Sequence, residues 1–586
     1  MNGIIRFPEP QNAPLVNFEK GGTDREKLIT AIDYLRVKKP IKLPLWIGGK
    51  PKLTESFAPC TPPHDMHRLL AEYATADESL VQQAISGVLQ AKNRWQSLPW
   101  YLRLHIFRKA AYLLQHKYFY DAVAAVMEDY SKNPYEAMID VVELIDFWNF
   151  NVYFASEIYQ EQPESSTNDF NFIDYRPWEG FVAALPPNNF VAIALNIPTA
   201  PLMMGNVVVC KPAPETVFSF HFMLNILHEA GLPLDALAVV HGDEEMIGNM
   251  LLTNKFLTRV HFTGSMATMH KLVEIMGKNI HSYLGFPEII GETGGKNFMI
   301  VYDDANSHET AAAIAQSAFG YQGRKCSALS RLCLTHKKWA EIQPILMDFM
   351  NQMKAGDVAD FSNYLGAIIS EQEYQKIVGY IQRTRVLPST MTMLYANRDK
   401  DRKGDWVCPS YYKNENGCWV DPTIVVTRDP RSPAMREEIF GPVLMVYPMT
   451  QKEFDLNVID LCHDNPYRLT GAVHTSDIIT LSDAIRDLRF AAGNLYDCRT
   501  TGAIVNRQPF GGSGKSGSNS KPGSKLNLYR WVNPRSISLV NAKPKHFAPP
   551  YLDTIQSIKN KMEPSKPIKD TAPTFTTEEE AENYRQ

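Results

Sequence analysis

Short apolar runs of strand length alternate with helical segments from residue 181 onward, and this alternation constrains the fold more than any other feature. The runs are FVAAL (181–185), VVVC (207–210), ALAVV (236–240), RVHF (259–262) and FMIVY (298–302). Strands that alternate with helices build βαβ crossovers and a parallel sheet. The pattern is typical of nucleotide-binding α/β folds, although the G-x-G-x-x-G turn is absent.

Two further regions surround this series. Residues 77–160 are helical in pattern, with Leu80, Ala84 and Val88 on one apolar face. A second α/β series runs from about residue 308 to 500. The sequence therefore predicts a large α/β protein whose helical layer precedes the first sheet.

The composition excludes several classes of protein. Lys and Arg number 60 against 64 Asp and Glu, so the chain lacks the basic field that binding to nucleic acid or an anionic membrane needs. Its 8 cysteines form no CxxC pair or His/Cys cluster, and we expect neither disulfides nor a metal site. The most apolar stretch, 190–210, contains Asn and Pro residues that argue against a membrane span.

Cys326 lies in the segment GRKCSA, between two cations and several small residues. A lone cysteine is most often a small buried hydrophobe, and we keep that interpretation for the cysteines in apolar surroundings. Positive neighbours favour the reactive thiolate. Arg324 and Lys325 therefore make Cys326 a candidate nucleophile.

Glu292 follows an apolar run and enters the glycine-rich turn GETGGK. A lone Glu is usually a solvated surface charge. At the end of a predicted strand, however, it occupies the place where α/β enzymes tend to hold catalytic groups. A carboxylate there can act as a general base on water.

Three more turns are candidates on similar grounds. Asn189 follows the first predicted strand, where it is either a turn residue or an amide donor to an oxyanion. Gly264 and Ser265 end the run RVHF at a helix start, a position that favours phosphate. Glu438 and Phe440 lie in EEIFGP, which is otherwise an ordinary turn. Taken separately, none of these turns decides the function.

Taken in order, these residues resemble the aldehyde dehydrogenase superfamily. The chain is most similar to its delta-1-pyrroline-5-carboxylate dehydrogenases, also called L-glutamate γ-semialdehyde dehydrogenases. The segments that carry the resemblance are GETGGKN (291–297), GRKCSALSR (323–331), MREEIFGPV (435–443), TTGAIV (500–505) and QPFGG (508–512). The resemblance extends from about residue 15 to residue 545.

The resemblance implies NAD-dependent oxidation of L-glutamate γ-semialdehyde to L-glutamate in proline catabolism. Cys326 would attack the aldehyde carbon as a thiolate and form a thiohemiacetal. Its oxyanion would lie against the Asn189 side-chain amide and the Cys326 backbone N–H. After hydride transfer to NAD, Glu292 would activate water to hydrolyse the thioester.

The resemblance also implies the residues that bind NAD. Lys211 would bind the adenosine ribose, and Gly264 with Ser265 would form the turn at the pyrophosphate. Glu438 would hold the nicotinamide ribose, with Phe440 beside the ring. No metal ligand is implied.

A buried substrate carboxylate needs several hydrogen-bond donors. By resemblance, these are the Ser327 side chain and the backbone amides of Gly502 and Ala503. Phe190 and Phe510 would hold the aliphatic chain of the substrate between their aromatic faces.

Three positions depart from the family's pattern. Asn188 replaces an aromatic residue, Asn506 replaces a glycine, and Pro214 stands where NAD-dependent relatives often carry an acid, with Glu215 next to it. The first two bear on substrate shape and the third on the choice of NAD over NADP. Three alternatives therefore stay open: a paralogue that oxidises another amino-acid-like or aliphatic aldehyde, a catalytically silent nucleotide-binding relative, and an acylating enzyme that uses coenzyme A.

By resemblance we expect a Rossmann-type NAD domain, a catalytic domain, a β-hairpin oligomerisation flap and a polar tail. Their expected ranges are 1–160 with 181–290, 291–498, 161–180 with 513–545, and 546–586. The resemblance implies a homodimer or a higher homo-oligomer. It also implies an intracellular, soluble protein of the mitochondrial matrix, while the lack of a visible leader in MNGIIRFPEPQ keeps the cytosol open.

Overall fold

The computed structural model describes residues 5–385, 391–395 and 411–541, together with positions 543, 547 and 551. The predicted polar tail, 546–586, lies outside the described residues apart from the last two of these positions. The chain divides into two compact units. One comprises Met1–Glu161 and Tyr175–Arg535, and the other Gln162–Asp174 and Ser536–Gln586.

The described residues form both helices and strands. The helices are α1 (Thr23–Val37), α2 (Glu78–Ser97), α3 (Trp100–His116), α4 (Phe119–Tyr130), α5 (Pro134–Gln160), α6 (Val191–Met203), α7 (Val217–Ala230), α8 (Glu244–Leu252), α9 (Met266–Lys278), α10 (Ser307–Phe319), α11 (His336–Gln352), α12 (Glu371–Arg385), α13 (Pro433–Arg436), α14 (Gln451–His463), α15 (Ile478–Asp487) and α16 (Lys525–Leu528).

The strands are shorter than the helices, as is usual in α/β proteins. They are β1 (Ile41–Leu43), β2 (Leu45–Ile47), β3 (Lys50–Lys52), β4 (Phe57–Cys60), β5 (Ala71–Ala74), β6 (Asp169–Arg176), β7 (Phe181–Leu185), β8 (Val208–Cys210), β9 (Leu237–Val239), β10 (Leu257–Thr263), β11 (Glu288–Glu292), β12 (Asn297–Val301), β13 (Leu329–Thr335), β14 (Met391–Tyr395), β15 (Tyr411–Lys413), β16 (Cys418–Val420), β17 (Thr423–Thr427), β18 (Val443–Met449), β19 (Tyr467–Arg468), β20 (Thr470–His474), β21 (Asn494–Asp497), β22 (Ser513–Gly514) and β23 (Asn533–Val540).

The first large sheet has 7 strands in the order β11-β10-β7-β8-β9-β2-β3. Neighbours from β11 to β9 are parallel, and the hairpin of β2 and β3 adds two antiparallel strands at one edge. Strands β8 and β9 are buried throughout, because helices cover both faces of a parallel sheet. The predicted strands of this region are confirmed to within two residues at each end.

The second large sheet also has 7 strands, in the order β14-β17-β18-β13-β12-β20-β21. Every neighbouring pair is parallel except β14 with β17. Side chains of β12 alternate between two apolar clusters, with Phe298 and Ile300 in one and Met299 and Val301 in the other. The two parallel sheets confirm the predicted α/β fold class.

Helix α6 accounts for much of the most apolar stretch of the chain. It is almost entirely buried, although Pro198 and Pro201 lie inside it, and it packs against α5 and strands β7, β8 and β10. Its apolar composition therefore reflects a buried position beside the first sheet. Across the described ranges, none of the helices combines the length and apolar character that crossing a membrane requires.

Two elements differ from the expectations. Helix α1 was not among the predicted helical regions, and it buries Leu28, Ala31 and Ile32. Strand β6 pairs with β23 in a two-stranded ribbon. The region predicted as a flap therefore contributes one strand from 161–180 and one from beyond residue 513, instead of a hairpin closed within 161–180.

Candidate active site

The loop before β13 carries Cys326 and contains three consecutive residues in the left-handed conformation. Tyr321, Gln322 and Gly323 have φ angles of 51°, 53° and 66°. Residues other than glycine seldom adopt this conformation, so the surrounding contacts must stabilise it. A Cβ atom on Gly323 would lie 2.3 Å from the carbonyl oxygen of Gly441, which makes glycine necessary there. The nucleophile candidate thus follows a tightly constrained turn.

Glu292 is the last residue of β11, and its backbone carbonyl accepts a hydrogen bond from the Gly264 N–H at 3.1 Å. Burial raises the pKa of its carboxyl group to about 8, while nearby Lys521 acts in the opposite direction. Its Oε1 atom is buried without a hydrogen-bond partner among the described residues. A carboxyl group with a free oxygen and a pKa near neutrality is suited to accept a proton from water.

Asn189 lies between β7 and α6 and is only 4% exposed. Its Nδ2 atom donates to the backbone carbonyl of Arg324 at 3.2 Å. Its Oδ1 atom has no hydrogen-bond partner within the part of the chain that the structure describes. The amide predicted to stabilise an oxyanion is therefore tied to the loop that carries Cys326.

One cavity of about 140 Å³ brings together most of the predicted catalytic and substrate residues. Its walls include Cys326, Glu292, Phe190, Ser327, Gly502, Ala503 and Phe510. Asn189 does not line this cavity, although its neighbour Phe190 does. A larger cavity of about 780 Å³ shares Ser327, Gly502 and Ala503 with the first. The two cavities therefore meet at the predicted carboxylate-binding turn.

The thiol of Cys326 is partly buried at the cavity wall. Burial is the main cause that raises its pKa well above the ordinary value near 9. The negative charges of Glu292 and Glu438 act in the same direction. The thiol form is therefore favoured at neutral pH.

The two cations beside Cys326 were expected to favour the thiolate, and this expectation is wrong. Lys325 forms an ion pair with Glu136 at 2.6 Å. Arg324 donates to the side-chain oxygen of Asn188 at 3.1 Å. The charge of Lys325 is thus paired with Glu136, whereas Arg324 is bound to the neutral side chain of Asn188. Burial is the main cause of the raised pKa of the thiol.

The residues predicted to bind the adenosine and pyrophosphate groups of NAD lie at the carboxyl ends of strands in the first sheet. Lys211 follows β8 and forms an ion pair with Glu244 at the start of α8. Gly264 and Ser265 connect β10 to α9, and the Ser265 hydroxyl caps this helix by accepting from the Thr268 N–H at 3.1 Å. Strands β8 and β10 both flank β7 in parallel, so their carboxyl ends bring Lys211 and the turn to the same edge.

Glu438 and Phe440 lie close to the turn that follows β11. The Glu438 carboxylate accepts from the Gly295 N–H at 2.9 Å, and burial raises the pKa of this carboxyl group. A Cβ atom on Gly294 would lie 1.9 Å from a Glu438 oxygen, so glycine is necessary for this approach. Phe440 has a φ of 60°, and its ring centroid lies 5.3 Å from the guanidinium carbon of Arg324.

Glu143 lines both cavities and was not anticipated from the sequence. Burial, together with the negative charge of Asp140, raises its pKa to about 8. It interrupts the apolar stretch VVELI (141–145), and an acid within an apolar helix is the signal that could have indicated it. Glu244 and Lys521 were also missed, because their partners are distant in sequence.

Asn506 has a φ of 70°, the left-handed conformation that a glycine adopts readily. Asparagine tolerates this region better than most residues. Asn506 stands where the family usually has glycine, and it therefore keeps the backbone conformation that glycine would adopt there.

Known proteins match this chain over nearly its whole length. The aldehyde dehydrogenase family pattern matches residues 50–537. A relative from Dictyostelium discoideum, named delta-1-pyrroline-5-carboxylate dehydrogenase, mitochondrial, is 36% identical over 552 residues, which are 93% of this chain and 96% of the relative. The Homo sapiens protein of the same name is 36% identical over 531 residues, 90% and 91% of the two chains.

Solved structures agree with the sequence matches. The Mycobacterium tuberculosis delta-pyrroline-5-carboxylate dehydrogenase bound with NAD superposes with a TM-score of 0.86 at 36% identity, covering 94% of this chain and 99% of that one. The Thermus 1-pyrroline-5-carboxylate dehydrogenase with bound NAD gives a TM-score of 0.83 at 27% identity, covering 92% and 100%. These matches, together with the convergence of Cys326 and Glu292 on one cavity, show that the chain belongs to the aldehyde dehydrogenase family.

Proposed function

We propose that this protein oxidises L-glutamate γ-semialdehyde to L-glutamate, with NAD as the hydride acceptor, in proline catabolism. The observation that carries the proposal is a single cavity lined by a thiol, a carboxyl group and a turn of backbone amides, from Cys326, Glu292 and Gly502–Ala503. The Dictyostelium and human relatives are named for delta-1-pyrroline-5-carboxylate, the cyclic form of this aldehyde, and support the same substrate.

The first step is attack on the aldehyde. Cys326 loses its proton to solvent, and its Sγ atom forms a bond to the aldehyde carbon. The carbonyl oxygen becomes an oxyanion, which accepts hydrogen bonds from the Asn189 side-chain amide and the Cys326 backbone N–H. The Asn189 amide is bonded to the loop of the nucleophile through the Arg324 carbonyl, which supports this role.

The second step releases the acid. When bound, NAD supplies the acceptor for the hydride that leaves the thiohemiacetal carbon, and a thioester remains on Cys326. Glu292 then takes a proton from water, whose oxygen attacks the thioester carbon. The C–S bond breaks, and Cys326 leaves as a thiolate while glutamate is released. The unpartnered Oε1 of Glu292 in the cavity wall suits this role.

The residues at the edge of the first sheet fit a dinucleotide. The Ser265 hydroxyl occupies one N–H group of α9, and the remaining N–H groups of that first turn are available to a phosphate. Lys211 and Glu438 provide an ammonium and a carboxylate group for ribose hydroxyls, and Phe440 provides an apolar face. This donor set matches the two ends and the pyrophosphate of NAD.

The cavity also fits a short chain that ends in a carboxylate. Backbone N–H groups of Gly502 and Ala503 and the Ser327 hydroxyl are the proposed donors to that carboxylate. The Ser327 carbonyl accepts from the Thr501 hydroxyl at 2.6 Å, which ties the residue after the nucleophile to this turn. Phe190 and Phe510 provide aromatic walls for the methylene groups.

We further propose that the chain works as a homodimer or a higher homo-oligomer through the ribbon of β6 and β23. For location, we propose the mitochondrial matrix, because the Dictyostelium and human relatives are named as mitochondrial; the cytosol is the alternative. Within the chain we assign NAD binding to 1–160 with 181–290, catalysis to 291–498 and assembly to 161–180 with 513–545. The division of the strands into two large sheets and a ribbon supports this proposal.

The test is the initial rate of NADH formation by the purified protein. Glutamate semialdehyde is compared with an aliphatic and an aromatic aldehyde, each with NAD and with NADP. A large kcat/KM preference for glutamate semialdehyde with NAD supports the proposal. Activity on the other aldehydes alone would assign the same chemistry to a different substrate, and no activity on any of them would point to a silent relative.

A further inference from the structure

We propose that the buried ion pair of Lys132 and Asp140 positions the oxyanion amide and the nucleophile loop relative to each other. The two side chains are fully buried, and Lys132 Nζ lies 2.7 Å from Asp140 Oδ2. Neither lines the two cavities described above, so both are positioning residues. The inference rests on the proposed aldehyde oxidation and identifies what supports its reacting groups.

Asp140 caps a helix that begins two residues after the oxyanion residue. Helix α6 follows Asn189 and Phe190, and Phe190 at its N-cap position has no side chain that can accept a hydrogen bond. The first N–H groups of a helix need partners from outside it. Asp140 on α5 supplies them, because its two oxygens accept from the Val191 N–H at 2.9 Å and the Ala192 N–H at 2.8 Å. One carboxylate thus fixes the backbone that carries the amide.

Lys132 joins the same turn to the nucleophile loop. Its Nζ atom lies 3.7 Å from the ring centroid of Phe190 and 4.3 Å from that of Tyr321. The two rings meet edge to face, with centroids 6.0 Å apart. Phe190 lines the cavity, whereas Tyr321 opens the left-handed turn before Cys326. A desolvated cation attracts aromatic faces strongly, so the ammonium group holds both rings.

The residue before Lys132 supports the same loop directly through its backbone, and through its side chain only by way of Ala367, whose carbonyl also accepts from Gln322 Nε2 at 3.1 Å. The Ser131 carbonyl accepts from Gln322 Nε2 at 3.0 Å. The Ser131 hydroxyl accepts from the Ala367 N–H at 2.8 Å. Segment 131–140 therefore contacts the oxyanion turn through Asp140 and the nucleophile turn through Ser131 and Lys132.

The ion pair matters for rate because both reacting groups depend on it. An uncompensated buried charge is costly, so each member of the pair keeps the other charged and in place. Without the pair, the Asn189 amide and Cys326 Sγ lose their fixed separation. A misplacement of about 1 Å can cost about a hundredfold in rate. The loss should fall on formation of the thiohemiacetal and not on cofactor binding.

The main test variant carries Lys132→Met and Asp140→Asn together, which removes both charges and leaves neither unpaired. We expect the NADH burst in a single turnover to slow at least about tenfold. The Kd for NAD, measured by protein fluorescence, and the alkylation rate of Cys326 by iodoacetamide should not change. Asp140→Asn alone is the second variant, and it should also slow the burst.

The matched control is Glu128→Gln, which removes another fully buried carboxylate in the same fold. Glu128 pairs with Arg36 at 2.7 Å and with Arg68, and it lines neither cavity. This variant should lower Tm while the burst rate stays at the wild-type value. If Glu128→Gln slows the burst as much as the double variant does, the effect is general destabilisation and the inference fails.

The inference also fails if either folded variant of the pair gives a wild-type burst. Should the double variant not fold, Asp140→Asn decides. Failure of the proposed function gives a separate result, because the wild-type protein itself would then form no NADH from glutamate semialdehyde. The experiment uses whichever aldehyde the wild-type protein oxidises, so the two outcomes remain separate.

Discussion

The side-chain amide of Asn189 donates to the backbone carbonyl of Arg324 at 3.2 Å, two residues before Cys326. This bond holds the amide beside the nucleophile loop independently of substrate. A donor that is already in place stabilises a developing oxyanion without the cost of reorganisation. Asn189 thus combines a contact that fixes the loop with the proposed contact to the reacting oxygen.

Asn189→Ala should lower kcat by about 10²–10³-fold, the usual cost of losing one oxyanion donor. The affinity for NAD should not change, because Asn189 is not among the residues proposed to bind the cofactor. Steady-state kinetics with glutamate semialdehyde and a separate measurement of the Kd for NAD check both parts. Asn188→Ala is the neighbouring control and should cost far less, and equal losses in the two variants would contradict the role of Asn189.

The proposed base predicts a pH dependence. Burial raises the pKa of Glu292 to about 8, so below this pH the group is largely protonated and cannot take a proton from water. Hydrolysis of the thioester should therefore speed up as pH rises towards about 8 and level off above it. Glu292→Gln should abolish this rise and let a thioester accumulate after one burst of NADH. Mass spectrometry of the quenched protein detects the acyl group on Cys326.

Glu143→Gln is the matched control for the base, since burial raises the pKa of Glu143 to about 8 as well and both groups line the cavity. We expect no thioester to accumulate in this variant. If the thioester accumulates in Glu143→Gln and not in Glu292→Gln, the base is Glu143.

The raised pKa of Cys326 predicts slow alkylation at neutral pH. The rate of inactivation by iodoacetamide should still be rising at pH 9, where an ordinary thiol is half ionised, because only the thiolate reacts and the pKa of Cys326 lies well above that value. Above its own pKa, ionised Glu292 opposes formation of the thiolate, so Glu292→Gln should speed alkylation there. A Cys498→Ser background removes an exposed thiol that would also react. Unchanged alkylation in Glu292→Gln at high pH would show that the two groups are not coupled.

The periodicity of apolar residues was sufficient to predict strands β7 to β10 of the first sheet. Residues 181–185 form β7 with the predicted bounds, because burial of apolar side chains determines where this strand begins and ends. Cys326 could be singled out by its two cationic neighbours and small residues, and Glu292 by its place at the end of a predicted strand before a glycine turn. Their meeting in one cavity could not be predicted in this way, because Glu292 ends β11 of the first sheet whereas Cys326 precedes β13 of the second.

The charge environment of the site could not be predicted in the same way. The sequence places Arg324 and Lys325 next to Cys326, but only the folded structure shows that Asn188 and Glu136 engage them. The direction in which each side chain points, and not its proximity in sequence, decides which charge shifts the pKa of the thiol. The ion pair of Lys132 with Asp140 was missed for the same reason, since its importance lies in contacts with other segments.

The glycine turn after β11 allows a test of the proposed binding of the nicotinamide ribose by Glu438. A Cβ atom on Gly294 would lie 1.9 Å from Glu438 Oε2, so Gly294→Ala must displace the carboxylate from the Gly295 N–H. A hydrogen bond to a charged group contributes about 1.5–3 kcal/mol, and we therefore expect the Kd for NAD to rise at least about tenfold.

Gly285→Ala is the control, because no heavy atom lies within 4 Å of its added Cβ. Fluorescence titration measures both Kd values, and alkylation of Cys326 reports on the nucleophile loop. If Gly294→Ala binds NAD as tightly as Gly285→Ala does, the position of the Glu438 carboxylate does not determine cofactor affinity, and its assignment to the ribose is wrong.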